Sequence, residues 1–306
     1  MDDPRPLPGH AVVRLEAIGV NFIDVYQRTG LYILTTPFVP GQEGSGTVVA
    51  VGPDVRDVKP GDRVAYCGIQ GSYAERASVP ANRVALLPDS VSTKQGAALM
   101  LQGMTAHYLA TTTFPLAAGH TCVVHAAAGG VGLLLCQIAK RRGARVIGTT
   151  STREKAALAR AAGADEVILY SEQDFETEVK RFTGSNGVQV IYDSVGRSTF
   201  AKGLNCLAPR GMMVLFGQSS GPVGPIDPQL LNQKGSLFLT RPKLGDYMAS
   251  RVELLARSSE LFGWVASGAL KLTIGGEYPL REAGRAQRYL EGRATTGKLL
   301  LIPEEG

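Results

Sequence analysis

Two textures of apolar patterning divide the chain. From residue 11 to about 100, short apolar runs (VVRLEAIGV, GSGTVVAVG, GDRVAYCG, YAERASVP, RVALLP) are broken by Gly and Pro, with turn signals at Gly52-Pro53 and Pro60-Gly61-Asp62. Runs of that length and spacing predict a small, folded-over β domain. From about Thr121 short apolar runs alternate with longer stretches of helical period. The pattern predicts strand Cys122–His125, helix Val131–Arg142, strand Arg145–Thr149, helix Thr152–Ala162, strand Glu166–Leu169 and a polar helix near 173–183. Strand Val188–Tyr192, a helix near 198–207, strand Gly211–Phe216 and, after a Pro/Gly-rich loop, strand Ser236–Thr240 follow. Such alternation builds a parallel, doubly wound sheet with right-handed crossovers. In the tail, SRVELLARSSELFGWV places Leu254, Leu261 and Val265 on one helical stripe beside Leu255 and Phe262. Strand Leu270–Ile274, helix Arg281–Glu291 and strand Lys298–Ile302 close the chain. The expected arrangement is a β domain made from both chain ends, residues 1–104 and 242–306, with a nucleotide-binding domain, 105–241, inserted between them.

Composition narrows the class. The chain has 306 residues, 44% hydrophobic and 19% charged, enough for two buried cores. Its net charge of +5 is scattered, and the longest basic run, Lys140-Arg141-Arg142, suits a solvated helix end better than a nucleic-acid surface. The four cysteines (Cys67, Cys122, Cys136, Cys206) are far apart, with no C-x-x-C pair, so neither a zinc knot nor a disulfide framework is suggested. Reduced thiols fit a cytoplasmic protein. No apolar run reaches the ~20 residues that span a bilayer, and MDDPRPLPGH has no signal-peptide character.

The stretch HAAAGGVGLLLC, His125 to Cys136, lies between an apolar strand and an apolar helix. Within it Ala127-x-Gly129-x-x-Gly132 keeps the spacing of the dinucleotide-binding fingerprint with its first glycine replaced by another small residue. Gly129 is placed where backbone approaches a pyrophosphate, and Gly132 where helix packs on strand. The helix N-terminus then offers free N–H groups and partial positive charge to phosphate. An NAD site wants a carboxylate roughly 20 residues on, at the end of the second strand. This chain reads Gly148-Thr-Thr-Ser-Thr-Arg-Glu-Lys155 there, with hydroxyls first and then Arg153 and Lys155. Hydroxyl and cationic groups suit a 2′-phosphate, which favours NADPH.

Taken together, AAAGGVG, AIGVNFIDVYQRTGLY, YDSVGRSTF, FGQSSG and LNQKGSLFLTRP resemble the zeta-crystallin-like NADPH:quinone oxidoreductases, zinc-free members of the medium-chain dehydrogenase/reductase superfamily. The motifs span about residues 16 to 302. The resemblance implies a Rossmann sheet inserted in a GroES-like, β-rich catalytic domain. Zinc-binding members of the superfamily carry a Cys where this chain has Asn21, and Gly-His-Glu where it has Gly41-Gln42-Glu43; the four histidines (His10, His107, His120, His125) form no motif, so no metal is expected. The resemblance places a quinone pocket in the cleft between domains, lined by Asn21, Asp24, Tyr26, Tyr32 and Thr105, although Asn21 can equally be read as the N-cap of a helix Phe22–Arg28. For the cofactor it implies Asn21, the turn Ala128, Gly129, Gly130, Val131 and Gly132, then Thr150, Lys155, Tyr170, Ser194, Phe216 and Ser219. It implies a homodimer or a dimer of dimers paired through the strand near 236–240. Family members also carry a further segment before the first shared motif. The expected activity is hydride or electron transfer from NADPH to a quinone. Enoyl or alkenal reduction on the same fold, and a non-catalytic crystallin-like or RNA-binding role, are the alternatives.

Overall fold

The structure is a computed structural model in which residues 3–304 are described; residues 1–2 and 305–306 of the expected β domain lie outside the described residues. In chain order the amino-terminal elements are strand β1 (His10–Val20), helix α1 (Phe22–Arg28), strands β2 (Glu43–Val51), β3 (Arg63–Cys67), β4 (Arg76–Pro80) and β5 (Val84–Leu86), and helix α2 (Thr93–Tyr108). The middle elements are β6 (Thr121–Val124), α3 (Gly130–Arg141), β7 (Arg145–Thr150), α4 (Arg153–Ala161), β8 (Glu166–Leu169), α5 (Phe175–Phe182), β9 (Val188–Asp193), α6 (Phe200–Leu204), β10 (Leu207–Leu215), α7 (Gln229–Gln233) and β11 (Phe238–Thr240). The chain closes with α8 (Arg251–Ala266), β12 (Ile274–Pro279), α9 (Ala283–Glu291) and β13 (Lys298–Ile302). Two compact units result: one runs up to Met104 and resumes at Tyr247, the other is Thr105–Asp246.

The first unit is built on one sheet in the order β12-β13-β1-β2-β3-β5, with β4 also paired to β1. Strand β1 has three partners and is buried along nearly its whole length, as expected of a central strand rich in Val, Leu and Ile. Carboxyl-terminal β13 pairs directly with β1 (Ile18 opposite Leu301), so both chain ends share one sheet. Val13, Leu15, Val64, Tyr66, Leu299 and Leu301 belong to its core.

The second unit is a six-stranded sheet, every pair parallel, in the order β11-β10-β9-β6-β7-β8. Read from β8, this is the 3-2-1-4-5-6 order of doubly wound dinucleotide-binding folds. The order reverses between β6 and β9, so the carboxyl ends of those strands flank the crevice where such sheets bind ligands. Its core includes Val123, Ile147, Ile168, Ile191 and Met213.

Helix α7 stands in the stretch read from sequence as a Pro/Gly-rich loop, and two larger elements also depart from expectation. Helix α2 was not anticipated, because TKQGAALMLQGMTAHY lacks a polar face to set a helical period; Ala97, Leu99, Met100, Met104 and Tyr108 are all buried. The strand expected at Leu270–Ile274 forms instead at Ile274–Pro279. Leu270 is buried directly after α8, whereas Glu277 and Tyr278 pair with Leu300 and Leu301 of β13. Pairing with β13 outweighs local apolar content.

Helix α3 sits close upon the turn that precedes it. A Cβ added at Gly132 would lie 2.3 Å from the Ala126 carbonyl oxygen and 2.8 Å from two Ala127 backbone atoms. Gly132→Ala is expected to destabilise the protein by about 1–3 kcal/mol through overpacking against backbone, read as a lower midpoint in thermal melts; an unchanged midpoint would show that α3 can lift off the turn at no cost.

Candidate functional site

In the parallel unit, β6 ends at Val124 and the chain turns through His125–Ala128 into α3, whose first residues carry N–H groups without intrahelical partners. Gly129 is the extended residue before the helix (φ −76°, ψ 171°), and Gly129 and Gly130 are part exposed. Ala126 takes φ +52°, and Ala127 is fully buried with its N–H donated to the Thr149 carbonyl, which ties the turn to β7. His125, not singled out from sequence, reinforces that tie: its Nδ1 lies 2.9 Å from Thr149 Oγ1 and its ring stands edge-on to Phe175 at 4.9 Å. Burial pushes its pKa down, which keeps the imidazole neutral.

At the carboxyl ends of β7 and β8 the structure gathers several predicted residues. Thr150 ends β7, and its carbonyl accepts the Tyr170 N–H at 3.1 Å. Thr152 caps α4 by accepting the Lys155 N–H, which places Lys155 in the first turn. Partial burial lowers the Lys155 pKa. Arg153 points outward and pairs with Glu172 at 3.6 Å. Beyond β9 and β10, the Ser219 N–H donates to the Ser194 carbonyl at 3.2 Å and Phe216 N–H to Asp193 O at 2.8 Å, so Ser194, Phe216 and Ser219 form a second group. Asp193 builds that turn: Oδ1 accepts the Val195 and Gly196 N–H groups and Oδ2 the Thr199 hydroxyl. Thr105 lies buried on α2.

The other unit holds a buried polar network where β1 meets α1. Asn21 is the N-cap residue of α1, extended (φ −137°, ψ 157°) and 4% exposed, and forms a capping box with Asp24, whose Oδ2 accepts the Asn21 N–H at 2.9 Å. The Asn21 carboxamide also reaches beyond the helix. Its Nδ2 donates to Glu43 Oε2 at 2.8 Å and to the Gly19 carbonyl at 3.3 Å, and its Oδ1 accepts Lys298 Nζ at 2.8 Å and Gln102 Nε2 at 3.4 Å. Lys298 also pairs with Glu43 Oε2, and Glu43 Oε1 accepts the Leu101 N–H at 2.6 Å. The sequence points to Asn21 as a pocket, cofactor or capping residue and to Glu43 only as the carboxylate that follows Gln42 in the zinc-motif position. Nothing local in it connects Glu43 with Lys298, 255 residues away.

Asp24, expected to face the substrate, has no exposed surface, and its Oδ2 is committed to the helix start and to the Tyr73 hydroxyl at 2.9 Å. Desolvation raises its pKa from 3.8 to about 7, against the lowering hydrogen bonds from Asn21 and Tyr73. Tyr26 and Tyr32 are brought together, their rings edge-on at 5.3 Å, with Phe22 6.0 Å from Tyr26. Leu31, Tyr32 and Ile33 present apolar surface beside them.

Residues 7–89 match the family described as alcohol dehydrogenase GroES-like domain, and residues 130–248 the family described as zinc-binding dehydrogenase. The chain is 46% identical to Quinone oxidoreductase 1 of Escherichia coli over 304 residues, covering 97% of this chain and 92% of that protein. It is 42% identical to 2-haloacrylate reductase of a Burkholderia species, covering 98% and 92%. The crystal structure of Escherichia coli quinone oxidoreductase complexed with NADPH matches with a TM-score of 0.97 at 45% identity, over 99% of this chain and 94% of that one. A GroES-like β unit and a Rossmann sheet with a glycine turn at its switch point define a medium-chain dehydrogenase/reductase. Within that class the chain belongs to the quinone oxidoreductase family.

The Asp24 shift has a testable sign. A carboxyl whose folded pKa exceeds its unfolded one binds its proton more tightly when folded, so its contribution to stability is present below the unfolded pKa and lost as pH rises through the folded one. Stability should therefore fall from about pH 4 to pH 7, with Asp24 contributing a slope of up to about 1.4 kcal/mol per pH unit. Asp24→Asn keeps an acceptor for Asn21 and Tyr73 and should flatten that slope in denaturant melts; parallel slopes for variant and wild type would rule out the raised pKa.

Proposed function

We propose that the protein is an NADPH-dependent quinone reductase that works without a metal, with the Thr105–Asp246 unit holding the cofactor and the other unit the quinone. The observation that carries the cofactor choice is the end of β7, where Thr150 and the Thr152-capped first turn with Lys155 stand in place of a carboxylate. The turn fits a dinucleotide, since part-exposed Gly129 and Gly130 leave backbone open at the helix N-terminus. When bound, the nicotinamide supplies the hydride. N–H groups of Gly130, Val131 and Gly132 hold the pyrophosphate, with Ala128 and Gly129 shaping the approach. Thr150, Lys155 and Tyr170 take the adenosine 2′-phosphate, and Ser194, Phe216 and Ser219 border the rest of the dinucleotide, with Asn21 and Thr105 lining the reacting end. Tyr26 and Tyr32 supply aromatic surface for the quinone ring, and exposed Tyr32 leaves the quinol oxygens open to protonation from water.

The donor set does not fit a catalytic metal. Asn21 and Gln42 stand at the ligand positions, and the Lys298 ammonium, hydrogen-bonded to Asn21 and Glu43, already supplies the local positive charge. Two copies pair through β11, an edge strand whose Phe238 is 56% exposed. The four free, buried cysteines suit the reducing cytoplasm. The relation to 2-haloacrylate reductase supports a second reading, reduction of an electron-poor C=C bond.

NADPH consumption is expected with 1,4-benzoquinone; turnover of an α,β-unsaturated ketone alone would overturn the quinone assignment in favour of the second reading. Lys155→Ala should weaken NADPH binding about 10- to 100-fold, the worth of one charge-assisted contact, with NADH affected far less in fluorescence titrations. Equal losses for both cofactors would sink the 2′-phosphate role.

A further inference from the structure

The buried network in the first unit does more than neutralise its own charges. Lysine offers only donors and a carboxylate only acceptors, so Lys298 and Glu43 together dictate the orientation of the Asn21 carboxamide: Oδ1 must face the ammonium and Nδ2 the carboxylate. Both members are out of solvent, Lys298 at 2% exposure and Glu43 at 0%. The backbone of β1 closes over them, since a Cβ at Gly19 would lie 2.1 Å from Glu43 Oε2 and 2.7 Å from Lys298 Cε. Glu43 is further held by the Leu101 N–H of α2. Among these hydrogen bonds to the carboxamide, that from part-exposed Gln102, at 3.4 Å, is the longest, so the Oδ1 lone pair it uses is the one most easily given up to a bound molecule.

We propose that the Lys298–Glu43 pair is a positioning device for the reaction: it locks the Asn21 carboxamide in one orientation and presents its Oδ1 edge to the reacting end of the bound molecules, without either charged side chain touching them. This rests on the reading above that Asn21 lines the reacting end. The pair is expected to act on kcat and not on cofactor affinity, because geometry at the reacting atoms is what it sets.

The test is the paired variant Glu43→Gln/Lys298→Met in the full chain, which removes both charges and leaves no uncompensated buried ion. A pair that only stabilises the fold can be replaced in this way at no cost to catalysis. Positioning instead predicts a melting midpoint near wild type and unchanged NADPH affinity, with kcat for 1,4-benzoquinone reduced about 10- to 100-fold. Wild-type kcat in a folded paired variant would overturn the proposal. In an Asn21→Ala background the same two substitutions should cost no further kcat, whereas multiplying losses would show that the pair acts independently of Asn21. Asn21→Ala alone separates the two levels. If it keeps wild-type kcat, the placement of Asn21 at the reacting end fails; if it is slow while the paired variant is normal, only the positioning role fails. Should the paired variant not fold, side-chain amide NMR on the wild-type protein still decides: Asn21 Nδ2 protons protected from exchange with water are expected, and exchange as fast as that of an exposed asparagine would refute the lock.

Discussion

The ion pair between Lys298 and Glu43 is the constraint on which the first unit depends. Neither charge reaches water, and an isolated buried charge of either sign costs several kcal/mol, so each residue is tenable only with the other in place. Lys298 begins the last strand and Glu43 begins β2, so the requirement acts between the two ends of the chain. The pairing of β13 with β1 brings them together, and the hydrogen bonds of Asn21 and Leu101 use the remaining acceptors. A buried pair of this kind is weak evidence for stability, since well-packed apolar groups often replace one at no loss. What it supplies is orientation: a carboxamide between a pure donor and a pure acceptor has one arrangement.

The parallel unit is organised by a different constraint, the close seat of α3 on the turn after β6. Gly132 permits it, and the same contact aims the first turn of α3 at the crevice between β6 and β9. His125 and Asp193 then stiffen the two strand ends that border that crevice, one through Thr149 and the other through the N–H groups of the following turn. Both are buried, and both serve the backbone that a dinucleotide would meet.

Local chemistry was the legible part of this chain. The parallel unit announces itself because each strand is a short apolar run and each helix has a polar side, and the glycine spacing at 129 and 132 carries its own geometric reason. Helix α2 stayed hidden because burial of most of its positions blurs the period that reveals a helix. Asp24 was legible only as a pocket residue implied by the resemblance; its burial and its bond to the Asn21 N–H come from the fold alone. Lys298 could not be found at all, since it acquires meaning through a partner at the far end of the chain.

The network also bears on what kind of acceptor the protein can reduce. A metal ion polarises a carbonyl by accepting its lone pair, which an ammonium already bonded to Glu43 and Asn21 has little capacity to imitate. Such a positive charge is turned inward, towards the carboxylate it neutralises. Hydride transfer in the proposed reaction must then draw on the acceptor's own electron deficiency, and a quinone or an activated C=C bond has it where a plain ketone does not. Binding and orientation remain for the chain to supply, and the groups that could supply them here are aromatic rings, a fixed carboxamide and a helix N-terminus.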